Sequence, residues 1–150
     1  INSKDNLEAT GIPSQKEGKG AVFLLDSEMI GETQPMVNIF MNKMKNEGFR
    51  KMIDRDFARY TDNCIDDFLH GDVKSLFGNV KKLSKVVLKH FKPMIPDSFH
   101  QLWQQGIDTN DYYLKLCGSG GGGYILGFTK DYEKTKKLLQ NHKLEMVYRF

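Results

Sequence analysis

Between positions 118 and 123, five of six residues lack a side chain: the run reads Gly118-Ser119-Gly120-Gly121-Gly122-Gly123. Glycine loses more conformational freedom on folding than any other residue, so such a run opposes folding. In return the backbone can take φ > 0 and approach another backbone, or a ligand, closely. Successive N–H groups in such a loop can form a concave anion site. The flanks are apolar and strand-like, Tyr112-Tyr113-Leu114-Lys115-Leu116-Cys117 before the run and Tyr124-Ile125-Leu126-Gly127-Phe128 after it. A hairpin turn needs only one or two glycines. The excess points to a ligand-facing loop.

Three common phosphate loops are excluded by the residues C-terminal to the glycines. The run formally satisfies G-x-G-x-x-G, but a dinucleotide fingerprint requires a helix to open directly afterwards and receive the pyrophosphate. Here a strand comes next, and only 27 residues remain. A Walker A loop requires Lys where Tyr124 stands. A protein-kinase glycine loop does lie between strands, yet its strand lysine has no counterpart between Ile125 and Phe128.

Elsewhere the composition is that of one ordinary globular domain. Of 150 residues, 39% are hydrophobic and 27% charged, and the 14 glycines are in excess only because of the run. This excludes a disordered chain, a collagen-like repeat and a coiled coil. No stretch approaches the roughly 18 apolar residues of a membrane span. A net charge of +3 gives no reason to expect a polyanionic partner such as nucleic acid. Cys64 and Cys117 sit inside patterned apolar segments and read as reduced thiols, which places the protein in the cytoplasm. His70, His90, His100 and His142 share no metal-ligand spacing, so no metal site is expected.

The order of elements suggests the fold class. Residues 1–20 have linker composition. The run Ala21-Val22-Phe23-Leu24-Leu25-Asp26 reads as a strand buried on both faces. Thr33 can cap a helix carrying Met36, Val37, Phe40, Met41 and Met44, stopped by Gly48. A second helix carries Ile53, Phe57, Tyr60, Cys64 and Phe68 on one stripe, and a third runs from about Val73 to Phe91. A short helix with Phe99, Leu102 and Trp103 closes at Gly106. After the two strands flanking the glycines, Thr129 caps a helix containing Tyr132, Leu138 and Leu139. Leu144, Met146, Tyr148 and Phe150 then alternate at period two, a strand pattern. Strands and helices segregate, which favours an α+β fold with a mostly antiparallel sheet.

The nine residues Lys115-Leu116-Cys117-Gly118-Ser119-Gly120-Gly121-Gly122-Gly123 resemble the third signature motif of the GHMP kinases (galactokinase, homoserine, mevalonate and phosphomevalonate kinases). In mevalonate kinases the motif usually reads Lys-Leu-Thr-Gly-Ala-Gly-Gly-Gly-Gly. Upstream, a buried strand ending in Asp26-Ser27 and a helix opened by Thr33 extend the resemblance over most of residues 21–150. It implies the C-terminal domain of a mevalonate-kinase-like enzyme at 21–150, with a ferredoxin-like sheet of about four strands packed against helices. Residues 1–20 would then be a linker from a preceding domain. Cys117 stands where the family usually has Thr, and Gly31-Glu32-Thr33 stands where it usually has Arg-Ser-Thr.

The resemblance further implies transfer of the ATP γ-phosphoryl, with Mg2+, to a small alcohol, most closely mevalonate. Phosphomevalonate, homoserine and sugars stay open as acceptors. Cys117 to Gly123 would face phosphate or substrate, and Thr33 the substrate side. The family's ATP loop, catalytic aspartate and usual lysine belong to its N-terminal half, and nothing in residues 1–150 matches that loop. The chain alone is therefore expected to hold no ATP or Mg2+ and no catalytic residue, its first partner being an N-terminal GHMP domain. Met36, Met41 and Met44 could face that domain, and a homodimer through the same surface stays open. The alternative is a stand-alone α+β module that binds a ligand or protein through the glycine loop. Lys81, Lys85, Lys89 and Lys92, with Lys74, Lys82 and His90 nearby, read as a solvated helix face. Asp26 and Asp97 are the acids to watch, and Trp103 reads as core.

Overall fold

The apolar run at 21–26 becomes a central strand because nothing in it is polar before Asp26. In the computed structural model, which describes residues 10–150, it forms β1 (Ala21–Asp26), and Ala21, Phe23 and Leu25 have no exposed surface. Four helical stretches come next. They are α1 (Thr33–Lys43), α2 (Glu47–Met52) continuing through a π-helical turn at Ile53–Ala58 into α3 (Arg59–Leu69), α4 (Val73–His90), and α5 (His100–Thr109). Two 3-10 turns, Lys92–Met94 and Asp97–Phe99, separate α4 from α5 where Pro93 and Pro96 interrupt the helix. The last third contributes β2 (Tyr113–Leu116), β3 (Tyr124–Thr129), α6 (Tyr132–Leu138) and β4 (Leu144–Arg149).

The sheet order is β2-β3-β1-β4, and every neighbouring pair is antiparallel. Strand β1 sits inside, between the strand after the glycine run and the last strand, as in a ferredoxin-like split β-α-β arrangement. The fold is α+β, as the segregation of elements indicates.

Alternate residues of β1 face two different layers. Phe23 and Leu25 join one cluster with Leu114, Ile125, Trp103, Tyr132 and Leu139, which brings α5 and α6 onto that face. Val22, Leu126 and Phe128 point to the other face, towards Cys64 and Phe68 of α3. Helix α4 serves both layers, with Leu83 and Val87 in the first cluster and Leu76, Phe77 and Val80 in a second. It also covers the β2 edge: the Leu114 N–H donates to Ser84 Oγ at 3.3 Å, and Trp103 Nε1 donates to the Ser84 carbonyl at 3.2 Å. An otherwise open sheet edge is thereby closed.

Several local expectations are corrected by capping and packing. Thr33 is the first residue of α1, not its cap; Glu32 holds that place and its side chain caps nothing. Gly48 lies inside α2, whose start is fixed by Asn46 accepting from Phe49 N–H at 3.0 Å. Gly106 does not end α5; it lets Tyr112 pack closely, and Asn110 closes the helix at φ 61°. Asp131, not Thr129, caps α6 through the Lys134 N–H, while the Thr129 hydroxyl donates to the Asp111 carbonyl. The even spacing of Met146 and Tyr148 conceals a bulge. Phe23 faces Met146 but Val22 faces Tyr148, so Val147 is an extra residue and Tyr148 turns to the α3 side against Phe68.

Residues 10–20 form no helix or strand yet lie against the sheet: Lys16 N–H donates to the Arg149 carbonyl and Tyr148 OH to the Pro13 carbonyl. Of the segment read as a linker, residues 1–9 lie outside the described residues.

Candidate functional site

Five consecutive φ > 0 positions cannot be filled by residues with side chains without strain. The glycine loop nearly reaches that limit: φ is 63° at Gly118, 78° at Gly120 and Gly121, 155° at Gly122 and 69° at Gly123. The glycines serve two purposes. A Cβ on Gly120 would lie 2.5 Å from the Met94 carbonyl oxygen, on Gly121 2.8 Å from the Met36 side chain, and on Gly122 2.8 Å from the Gly31 nitrogen. Gly118 and Gly123 meet no such neighbour and are needed for their dihedrals alone.

Backbone hydrogen bonds clamp the loop from both sides. Gly121 N–H donates to the Met94 carbonyl at 2.7 Å, and Gly123 N–H to the Met29 carbonyl at 2.8 Å. Ser27 N–H returns a bond to the Gly123 carbonyl at 2.9 Å. The strap at 27–29 is itself tight. Glu28 has φ 55°, its N–H donates to Asp26 Oδ1 at 2.8 Å, and its carboxylate meets Lys143 Nζ at 3.0 Å. That carboxylate raises the Lys143 pKa. A left-handed non-glycine residue stores about 1–3 kcal/mol, typically at functional sites.

Thr33 and the loop meet in one cavity of about 470 Å³. Its wall contains Thr33, Cys117, Gly118, Ser119, Gly120, Gly122 and Gly123, together with Leu24, Gly31 and Tyr124. Of the residues singled out from sequence, Gly121 faces Met36 instead. Leu24, Gly31 and Tyr124 are the wall residues missed, Tyr124 being the residue directly after the glycine run. Gly31 had a signal, a glycine two residues before a helix; Leu24 had none, since only the strand register brings it there.

No charged side chain lines this cavity among the described residues. Among the described residues, the N–H groups of Gly118, Ser119, Gly120 and Gly122 donate to no protein acceptor. The wall thus offers backbone donors, the Thr33 and Ser119 hydroxyls and the exposed Cys117 thiol, a set suited to an oxyanion. Among the described residues no cluster of three His, Cys, Asp or Glu could hold a metal ion. Asp26 closes β1 half-buried, while the Asp97 carboxylate is fully exposed. Lys81, Lys85, Lys89 and Lys92 line a separate groove with His100 between α4 and α5. Met36 and Met44 are half-buried and Met41 is exposed, so α1 buries no residue completely. No described helix is long and apolar enough to cross a membrane.

Comparison of this architecture with known proteins places the fold. No protein-family signature matches the sequence, nor does any curated protein. Solved structures do match. Streptococcus pneumoniae phosphomevalonate kinase, in complex with phosphomevalonate and AMPPNP, superposes with a TM-score of 0.66 at 15% identity, over 89% of this chain and 41% of that one. A Lin0012 protein from Listeria innocua superposes at 0.68 and 16% identity, over 89% and 42%. The chain has the fold of a GHMP-kinase C-terminal domain. It spans about two-fifths of the length of these structures.

Proposed function

We propose that this chain is the loop-bearing part of a GHMP-type small-molecule kinase, contributing one wall of a site at which the γ-phosphoryl of ATP passes to an alcohol. The observation that carries the reading is the glycine loop itself. The loop with its five positive-φ glycines leaves four N–H groups without an acceptor among the described residues, beside Thr33 and Cys117, in a domain with the matching fold.

The loop's chemistry is that of a holder. Phosphoryl transfer depends on positioning and on stabilising charge spread over the phosphoryl oxygens. Fixed N–H dipoles in a clamped loop cost no reorganisation when that charge develops. Thr33, at the first turn of α1, can donate its hydroxyl to the acceptor or to the same phosphoryl group. Bound ATP would supply the transferred group. The residues described fit its anionic oxygens but offer no carboxylate set for Mg2+, so no step is assigned to the ion.

The acceptor we favour is mevalonate or its phosphate. The motif is nearest to that of mevalonate kinases, and one matching fold is a phosphomevalonate kinase. A preceding GHMP domain would supply the ATP loop and the catalytic residues. It would also cover Met29, Ile30 and Met41, of which Ile30 is 93% exposed. Joining such a domain to this chain and measuring ATP consumption with mevalonate, phosphomevalonate, homoserine and galactose tests the reading. Consumption with a mevalonate-type acceptor, and none by the 150-residue chain alone, is expected. Turnover by the isolated chain, or none with any acceptor, would refute it.

A further inference from the structure

Helix α4 places a lysine at every fourth position along the side that meets α5. Lys81, Lys85 and Lys89 share one face, about 6 Å apart along the axis at a rise of about 1.5 Å per residue, and Lys92 continues the row from the 3-10 turn beyond the helix. Because α5 packs beside α4, what reads in the sequence as a solvated face becomes one wall of an open groove of about 870 Å³. Leu88 and Ile107 supply its apolar lining. The groove shares no wall residue with the glycine-loop cavity.

Four ammonium groups stand in this groove against one carboxylate, that of Asp108. Among the described residues Lys85, Lys89 and Lys92 form no ion pair, and Lys81 donates to the Asn110 amide oxygen rather than to an acid. The whole chain has a net charge of only +3, so this one groove holds a positive excess as large as that of the entire molecule. The opposite wall decides what kind of anion fits. Gln101 and Gln104 stand there with Asp108, and Gln104 Nε2 donates to Asp108 Oδ1 at 2.8 Å, which leaves amide and carboxylate oxygens as acceptors. A phosphate chain carries acceptors only and is repelled by that wall. A peptide brings carboxylates for the lysines and N–H or hydroxyl donors for the opposite side. Alternate side chains of an extended peptide are about 6.6 Å apart, close to the spacing of the lysines. No Phe, Tyr or Trp lines the groove to stack nucleobases.

We propose that the groove between α4 and α5 binds an extended acidic segment of a partner protein. Asp or Glu at every second position pairs with the row Lys81, Lys85, Lys89 and Lys92, and the donor groups between them meet Gln101, Gln104 and Asp108. The site is independent of the kinase reading. It leaves the glycine loop free, so both can be occupied at once.

The probe is an eight-residue peptide alternating threonine and glutamate, titrated into the whole chain at low salt and followed through the side-chain amides of Gln101 and Gln104. It should shift them saturably, and its threonine–glutamine counterpart should not. The same residues sorted into a threonine block and a glutamate block should bind at least about threefold more weakly, because alternate carboxylates then face away from the lysines. Lys89→Glu, at an exposed position where folding is not at stake, should weaken the alternating peptide at least about fivefold by replacing a pair with a repulsion. Lys137→Glu, an equal change of net charge on α6, should leave its affinity unchanged. Unshifted amides, equal affinity for the alternating and block peptides, or equal weakening by Lys137→Glu would overturn the proposal. Tighter binding of tripolyphosphate or oligothymidylate at the same amides would also overturn it, in favour of a phosphate site.

Discussion

The Gly121 N–H donates to the carbonyl oxygen of Met94 at 2.7 Å, and this bond ties the glycine loop to the turn between α4 and α5. Met94 is buried in the main cluster with Phe91, Ile95 and Trp103. The loop is therefore anchored to the core, although its glycines could sample many conformations alone. A clamped loop can present fixed donors; a free one could not.

That clamp separates the glycines by cost. Gly118→Ala should lose about 1–2 kcal/mol from its left-handed dihedral alone. Gly120→Ala adds a Cβ at 2.5 Å from the Met94 oxygen and should lose at least about 1 kcal/mol more. Urea unfolding of the two variants measures the difference, and equal losses would refute the packing account.

Ser84 is fully buried and holds α4 to both β2 and Trp103. Ser84→Ala leaves the Leu114 N–H without its acceptor, which should cost about 1–3 kcal/mol. A shift of the urea midpoint with unchanged slope is the expected signature.

The two thiols should separate under alkylation. Cys117 is exposed in the loop, whereas burial pushes the Cys64 thiol up to about 12. Since the thiolate is the reacting form, one fast and one slow cysteine are expected at neutral pH. Peptide mapping should assign the fast one to Cys117. Prior saturation of the loop by a phosphorylated alcohol should slow it.

Acid should weaken the start of α4. Asp72 accepts from both the N–H and the hydroxyl of Ser75, and these bonds hold its carboxyl below the usual range. With the folded value depressed, the stabilisation is complete above the ordinary carboxylate range and disappears as pH falls through the folded value. Asp72→Asn keeps a capping side chain without the titration. The stability gap between the two proteins, measured by urea unfolding, should narrow towards acid pH; a constant gap would refute this.

The legible features of the sequence are the local ones. The glycine run, the strands beside it and the stripes of α3 and α4 are local periodicities, and each leads to the observed element. The caps expected at Thr33 and Thr129 fail because hydroxyl residues near a helix start look alike, while Asp131 wins by reaching the Lys134 N–H. The bulge at Val147 depends on strand register, which no local pattern encodes. Leu24 enters the site wall for the same reason, whereas Gly31, outside any strand, does so by contact with Gly122 across 91 positions of chain.

The most direct measurement is an amide titration of the chain with phosphomevalonate, with free mevalonate as control. Phosphomevalonate should shift the N–H resonances of Gly118, Ser119 and Gly122 saturably and leave the clamped Gly121 and Gly123 nearly fixed, while mevalonate gives a much weaker effect. If Gly118, Ser119 and Gly122 do not move, or move equally with the unphosphorylated alcohol, the loop does not hold a phosphoryl group.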